Sequence, residues 1–115
     1  MKIAVSATGS DLNAFVDMRF GRCPWFLFVN AESLQYEAIE NKNADDASGA
    51  GTACALLVLE KEVTAVITGQ VGPNAFEVLN QGGVKIFLVP DGMGIREALA
   101  RYQNGELRQM ELKVL

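Results

Sequence analysis

Two short β-branched runs, Val63-Thr64-Ala65-Val66-Ile67 and Val84-Lys85-Ile86-Phe87-Leu88-Val89, flank a single helical pattern that begins at Pro73. This arrangement constrains the fold more than any other feature. Strands joined through a helix pair in parallel, by a right-handed crossover that packs the helix on the sheet. Pro73 suits the first helical position, where no N–H is needed. Ala75, Phe76 and Leu79 give the helix one apolar face, and Gln81-Gly82-Gly83 stops it.

The flanking segments extend the pattern. Lys2-Ile3-Ala4-Val5-Ser6-Ala7 reads as a buried strand ended by Thr8-Gly9-Ser10, and residues 8–24 follow as a long loop. Trp25-Phe26-Leu27-Phe28-Val29 and Leu34-Gln35-Tyr36-Glu37-Ala38-Ile39, joined by Asn30-Ala31-Glu32-Ser33, read as a hairpin. An apolar helix starts after Gly49 and runs to about Lys61. Ile95, Ala98, Leu99 and Tyr102 fall at i, i+3, i+4 and i+7 of a last helix, which Asn104-Gly105 ends. The expectation is one domain over residues 1–115: a three-layer α/β/α fold with a mixed five-stranded sheet, its tail 106–115 adding a short strand or lying loose. A chain of 115 residues, half of them apolar, is long enough to bury such a core.

Composition narrows the function. The net charge of −4 argues against a nucleic-acid partner, whose phosphates call for a basic face. The longest apolar stretch, residues 53–59, is far short of a membrane span, and the opening strand turns polar at Ser6, too early for a signal peptide. A cytoplasmic chain without a membrane partner is expected, and its two cysteines are then reduced thiols. There is no histidine, which removes the commonest general base and the Ser-His and Cys-His pairs. The first strand carries no acid, unlike a Mg²⁺-dependent nuclease of this architecture, and Asp11, Asp17, Asp45 and Asp46 read as solvated loop residues. No enzymatic activity is expected.

The strand order locates a site. If strand 63–67 runs parallel to strand 2–7, the loop 8–24 and the starts of helices 50–61 and 73–80 all meet at one sheet edge. Gly49, Gly51 and Thr52 open one helix, and Gly69, Gly72 and Asn74 flank the start of the other. Helix N-termini carry unpaired N–H groups and partial positive charge, and glycine lets backbone approach a ligand, so an anion is favoured there. Neither glycine cluster has Walker A or dinucleotide spacing. Arg19 and Arg22 are placed to add charge. Cys23 follows them in Arg19-Phe20-Gly21-Arg22-Cys23-Pro24, where neighbouring cations would lower its pKa and make it a soft-metal ligand. Cys54, inside an apolar helix, reads as core, and Phe20 and Trp25 read as core or loop anchors.

Arg19-Phe20-Gly21-Arg22, Gly49-Ala50-Gly51 and Thr68-Gly69-Gln70-Val71-Gly72-Pro73-Asn74-Ala75-Phe76, with the opening Lys2-Ile3-Ala4-Val5-Ser6, resemble the dinitrogenase iron–molybdenum cofactor biosynthesis family over about residues 1–103. The resemblance implies a ribonuclease-H-like fold and a nitrogen-fixation-related role: a non-enzymatic carrier or chaperone of iron–sulfur or molybdenum–sulfur clusters, working with cofactor-assembly proteins. The corresponding contact set is Arg19, Phe20, Gly21, Arg22, Gly49, Gly51, Thr52, Gly69, Gly72 and Asn74, with Cys23 as metal ligand. Such clusters are anionic and soft, and N–H groups and arginines hold their sulfides. The alternative is a small regulatory or interaction domain that binds phosphate or a nucleotide at the same edge.

Overall fold

The first strand, β1 (Lys2–Ala7), is buried along its length after Lys2 and forms the middle of the sheet. A strand without a solvent face has no need to alternate, which explains its continuous small and apolar sequence. The computed structural model describes residues 1–45 and 48–111; Asp46 and the tail residues 112–115 lie outside them. β2 (Trp25–Asn30) pairs antiparallel with β1, and β3 (Tyr36–Glu40) pairs antiparallel with β2. α1 (Ala50–Glu60) leads to β4 (Ala65–Thr68), which lies parallel to β1 in the register Ile3↔Ala65, Ala4↔Val66, Val5↔Ile67. α2 (Pro73–Gln81) then connects to β5 (Lys85–Leu88), parallel to β4. α3 (Ile95–Gln103) completes the helices.

The sheet has six strands rather than the expected five. β6 (Arg108–Met110) pairs antiparallel with β5, giving the order β3-β2-β1-β4-β5-β6. The reversal at Asn104-Gly105 brings the chain back along the open edge of β5, whose backbone groups need partners. Nothing in Arg108-Gln109-Met110 alternates or favours a strand, so the pairing is imposed by the edge.

Two cores sandwich the sheet. On one face Cys54, Ala55 and Val58 of α1 and Phe76 and Leu79 of α2 pack on Ala4, Phe26, Phe28 and Val66. On the other, Ile95, Ala98 and Leu99 of α3 pack on Ile3, Val5, Leu27 and Ile67, with Leu12 and Val16 of the long loop beside them. The loop changes face as it proceeds, because Phe20 and Cys23 belong to the first core. No helix among the described residues is long and apolar enough to cross a membrane.

Candidate functional site

The loop 8–24 crosses the sheet at the C-terminal ends of β1 and β4, and polar contacts hold the crossing. Ser6 Oγ lies 2.7 Å from the carbonyl of Asp17 and 2.7 Å from Thr68 Oγ1, all buried. A carbonyl only accepts, so Ser6 donates to Asp17 and Thr68 donates to Ser6. The N–H of Asp17 returns to Ser6 O at 2.8 Å, and that of Phe20 reaches Gln70 O at 3.1 Å. Gly69 lies under this crossing. A Cβ there would stand 2.5 Å from Met18 Cα, so the crossing needs bare backbone.

Beyond the crossing, Gly21 rests on the first turn of α1, where a Cβ would lie 2.8 Å from both Gly51 N and Gly51 Cα. This contact closes one wall of a cavity of about 200 Å³. Gly49, Gly51 and Thr52 of the α1 start form a second wall, Gly72, Pro73, Asn74 and Ala75 of the α2 start a third, and Phe20 lines it from the core side. Neither helix has a capping side chain, and neither carries an acid in its first turn. First-turn N–H groups have no intrahelical partner, so two uncapped, un-neutralised helix N-termini open into one space.

The structure places the rest of the expected set, Arg19, Arg22, Cys23 and Gly69, outside the lining of this cavity. The Arg19 guanidinium is drawn to the buried Asp17 carboxylate, with Nε 3.3 Å from Oδ1 and Nη2 3.3 Å from Oδ2, and lines a different cavity. That hydrogen bond and charge raise the Arg19 pKa further. Arg22 extends over the loop before α1, donating from Nη1 to Ala44 O at 2.9 Å. Gly69 serves the crossing. Cys23 is fully buried and donates to Phe20 O at 3.3 Å. Burial pushes its thiol far above the ordinary range, with Cys54 and Asp17 reinforcing the effect, so desolvation overrides the neighbouring cations and keeps the sulfur protonated. No group of three or more His, Cys, Asp or Glu able to hold a metal ion occurs among the described residues.

Sequence reasoning passed over Asn41, which stitches the wall. Its Nδ2 donates to Cys23 O at 2.8 Å and to Gly21 O at 3.1 Å, while Oδ1 accepts from Cys54 Sγ at 3.4 Å. An asparagine in a polar loop gives no signal of burial; only the nearby turn at Asn43, whose N–H bonds Asn41 Oδ1, has a local signature.

The fold and cavity define a small three-layer α/β domain with an amide-lined pocket at the sheet edge. The chain belongs to the dinitrogenase iron–molybdenum cofactor family, which it matches over residues 1–105. An uncharacterized protein of Methanocaldococcus jannaschii is 32% identical over 114 residues, covering 96% of this chain and 92% of that protein. The apo form of the orange protein from Desulfovibrio gigas superimposes with a TM-score of 0.90 at 33% identity, covering 95% of this chain and 92% of that one. The NMR structure of a Thermotoga protein described as a candidate NifB protein gives a TM-score of 0.83 at 32% identity, covering 99% and 97%. Membership places the chain in the context of iron–molybdenum cofactor binding or assembly.

Proposed function

We propose that this protein is a non-enzymatic carrier that holds a preformed anionic iron–sulfur or molybdenum–sulfur cluster, as cargo, in the cavity between the starts of α1 and α2. The observation that carries the reading is the convergence of two uncapped helix N-termini, with no acid in either first turn, on one space. Membership of the dinitrogenase iron–molybdenum cofactor family supports a cargo of this class. The donor set suits an anion whose metals already have their ligands: backbone N–H groups, the Thr52 hydroxyl and the Asn74 amide bond to outer sulfides or oxygens, and among the described residues no side chain at the wall competes for the metal. A volume of about 200 Å³ suits a compact inorganic anion better than the base, sugar and phosphate of a nucleotide, since pockets for whole organic ligands start at roughly 300 Å³. Carriage without covalent ligands also favours release to the assembly proteins that would receive the cargo. The ribonuclease-H-like reading of the fold is part of the proposal; the order β3-β2-β1-β4-β5, with β2 alone reversed among them, supports it.

The test uses Gly72, whose φ of −70° and ψ of 164° suit any residue and whose added Cβ would meet nothing within 4 Å. Gly72→Leu therefore fills the cavity mouth at little cost to the fold, under about 1 kcal/mol for the lost cap preference. Protein reconstituted anaerobically with iron, sulfide and molybdate should retain metal and show a visible charge-transfer band after desalting. Gly72→Leu should lose both while unfolding near the parent midpoint, and Cys23→Ala should keep both. Absence of retained metal in the parent, or full retention by Gly72→Leu, refutes the assignment.

A further inference from the structure

A second cavity, of about 430 Å³, opens at the same sheet edge on the α3 side, and the cargo reading leaves it unused. Its size lies within the range of small-molecule sites. Phe15 and Met18 supply an apolar wall. Phe15 is 55% exposed, yet its backbone is locked: its N–H donates to Thr8 Oγ1 at 3.0 Å, its carbonyl accepts from Thr8 N at 3.0 Å, and the next N–H donates to Met93 O at 2.9 Å. The ring is thus presented by fixed backbone.

The polar groups are complementary to one another and keep open hydrogen-bonding positions among the described residues. Asp17 occupies Nε and Nη2 of Arg19, which holds the guanidinium plane and leaves Nη1 without a partner among the described residues. Asp91, from the loop after β5, likewise has no hydrogen bond or ion pair among the described residues. One cationic donor and one anionic acceptor therefore line a cavity with an aromatic ring and a thioether. Asp17 and Asp91 outweigh Arg19 there, so this cavity disfavours the bare anion that the amide-lined one favours.

We propose that this cavity binds a small zwitterion of the α-amino acid class with an apolar side chain. The ammonium pairs with Asp91 beside the Phe15 ring, whose face attracts cations. The carboxylate takes the open Nη1 of Arg19, and the side chain lies against Phe15 and Met18. A neutral nitrogen heterocycle would offer the same donor and acceptor without the charges, and two solvent-accessible ionic groups gain little from it over water.

Titration of isotope-labelled protein with L-methionine, followed by amide NMR, tests this. Saturable shifts are expected at Thr8, Phe15, Met18 and Gly92, with a dissociation constant on the order of 1 mM, as suits an open site. N-acetyl-L-methionine, which lacks the ammonium, and the exposed substitution Asp91→Asn should each weaken binding about tenfold or more. The proposal is overturned by the absence of saturable shifts with L-methionine, by shifts that neither change weakens, or by guanosine binding in its place. None of these outcomes bears on the amide-lined cavity, because the mapped residues do not line it.

Discussion

Replacing Asn41 by alanine tests whether one buried side chain holds the cavity wall. The Cys23 carbonyl, buried, would lose its donor at 2.8 Å, and the half-buried Gly21 carbonyl its donor at 3.1 Å. A buried polar group stripped of its partner costs about 1–3 kcal/mol, and the second carbonyl, nearer solvent, costs less. The Cys54 thiol loses its contact with Asn41 Oδ1, a weak bond adding little. The total is about 2–4 kcal/mol, in the upper part of the usual range for single substitutions. At roughly 4 °C per kcal/mol for a domain of this size, the melting temperature should fall by about 8–16 °C. Urea unfolding followed by the fluorescence of Trp25, the one tryptophan, gives the free energy directly, and the midpoint should shift at constant slope. Asn41→Asp should be at least as damaging at neutral pH, because a carboxylate would face two carbonyl oxygens, and should recover in part in acid, where the protonated group donates again. A loss below about 1 kcal/mol for Asn41→Ala would show that the wall stands without this stitch.

The raised Cys23 pKa has a signed consequence. The folded state keeps the thiol protonated where the unfolded chain ionises it, so stability is intact below about pH 8.5 and falls above it, with a slope approaching 1.4 kcal/mol per pH unit. Urea midpoints between neutral and alkaline pH should show this decline, and Cys23→Ala should flatten it; an equally steep decline in the variant would assign the effect to other groups. Among the described residues the amide-lined cavity has no ionisable side chain in its wall, so retention of a reconstituted cluster should vary with pH only through the cluster itself. A titration in retention near a side-chain pKa, absent from the free cluster, would contradict the donor assignment.

The parallel crossover units and the convergence of three segments on one edge were legible because they rest on periodicity and chain direction. Once Val63-Thr64-Ala65-Val66-Ile67 is a strand beside Lys2-Ile3-Ala4-Val5-Ser6-Ala7, the starts of the neighbouring helices have nowhere else to go. The structure accordingly brings Gly21, Gly51 and Gly72 around one cavity. What stayed hidden depends on burial and on distant neighbours. Cys23 lies beside an arginine in sequence, but Phe20 and Cys23 both turn into the core, and desolvation outweighs adjacency. Arg19 looks available until Asp17, two residues earlier, is seen to be buried and in need of a partner. The second cavity joins Thr8 and Phe15 to Asp91, a pairing across most of the chain that no local pattern encodes. β6 has no strand character of its own and exists because β5 has an open edge.

The two cavities share a boundary, and that boundary explains why both are formed in advance of any ligand. Arg19 and Phe20 are consecutive, yet Arg19 lines one cavity and Phe20 the other. The segment that carries them is pinned from below by Ser6 and Thr68, from the side by Gln70, and behind by Asn41. It is also anchored in both cores, by Val16 on the α3 face and by Phe20 and Cys23 on the other. A partition fixed at so many points cannot be shaped by a guest, so no ordering entropy is charged to binding. Donors held in place by a rigid frame then discriminate by charge and shape alone: in the proposed reading the amide-lined wall takes an anion, and the cavity where Arg19 is paired and Asp91 has no partner among the described residues takes a molecule that carries both charges.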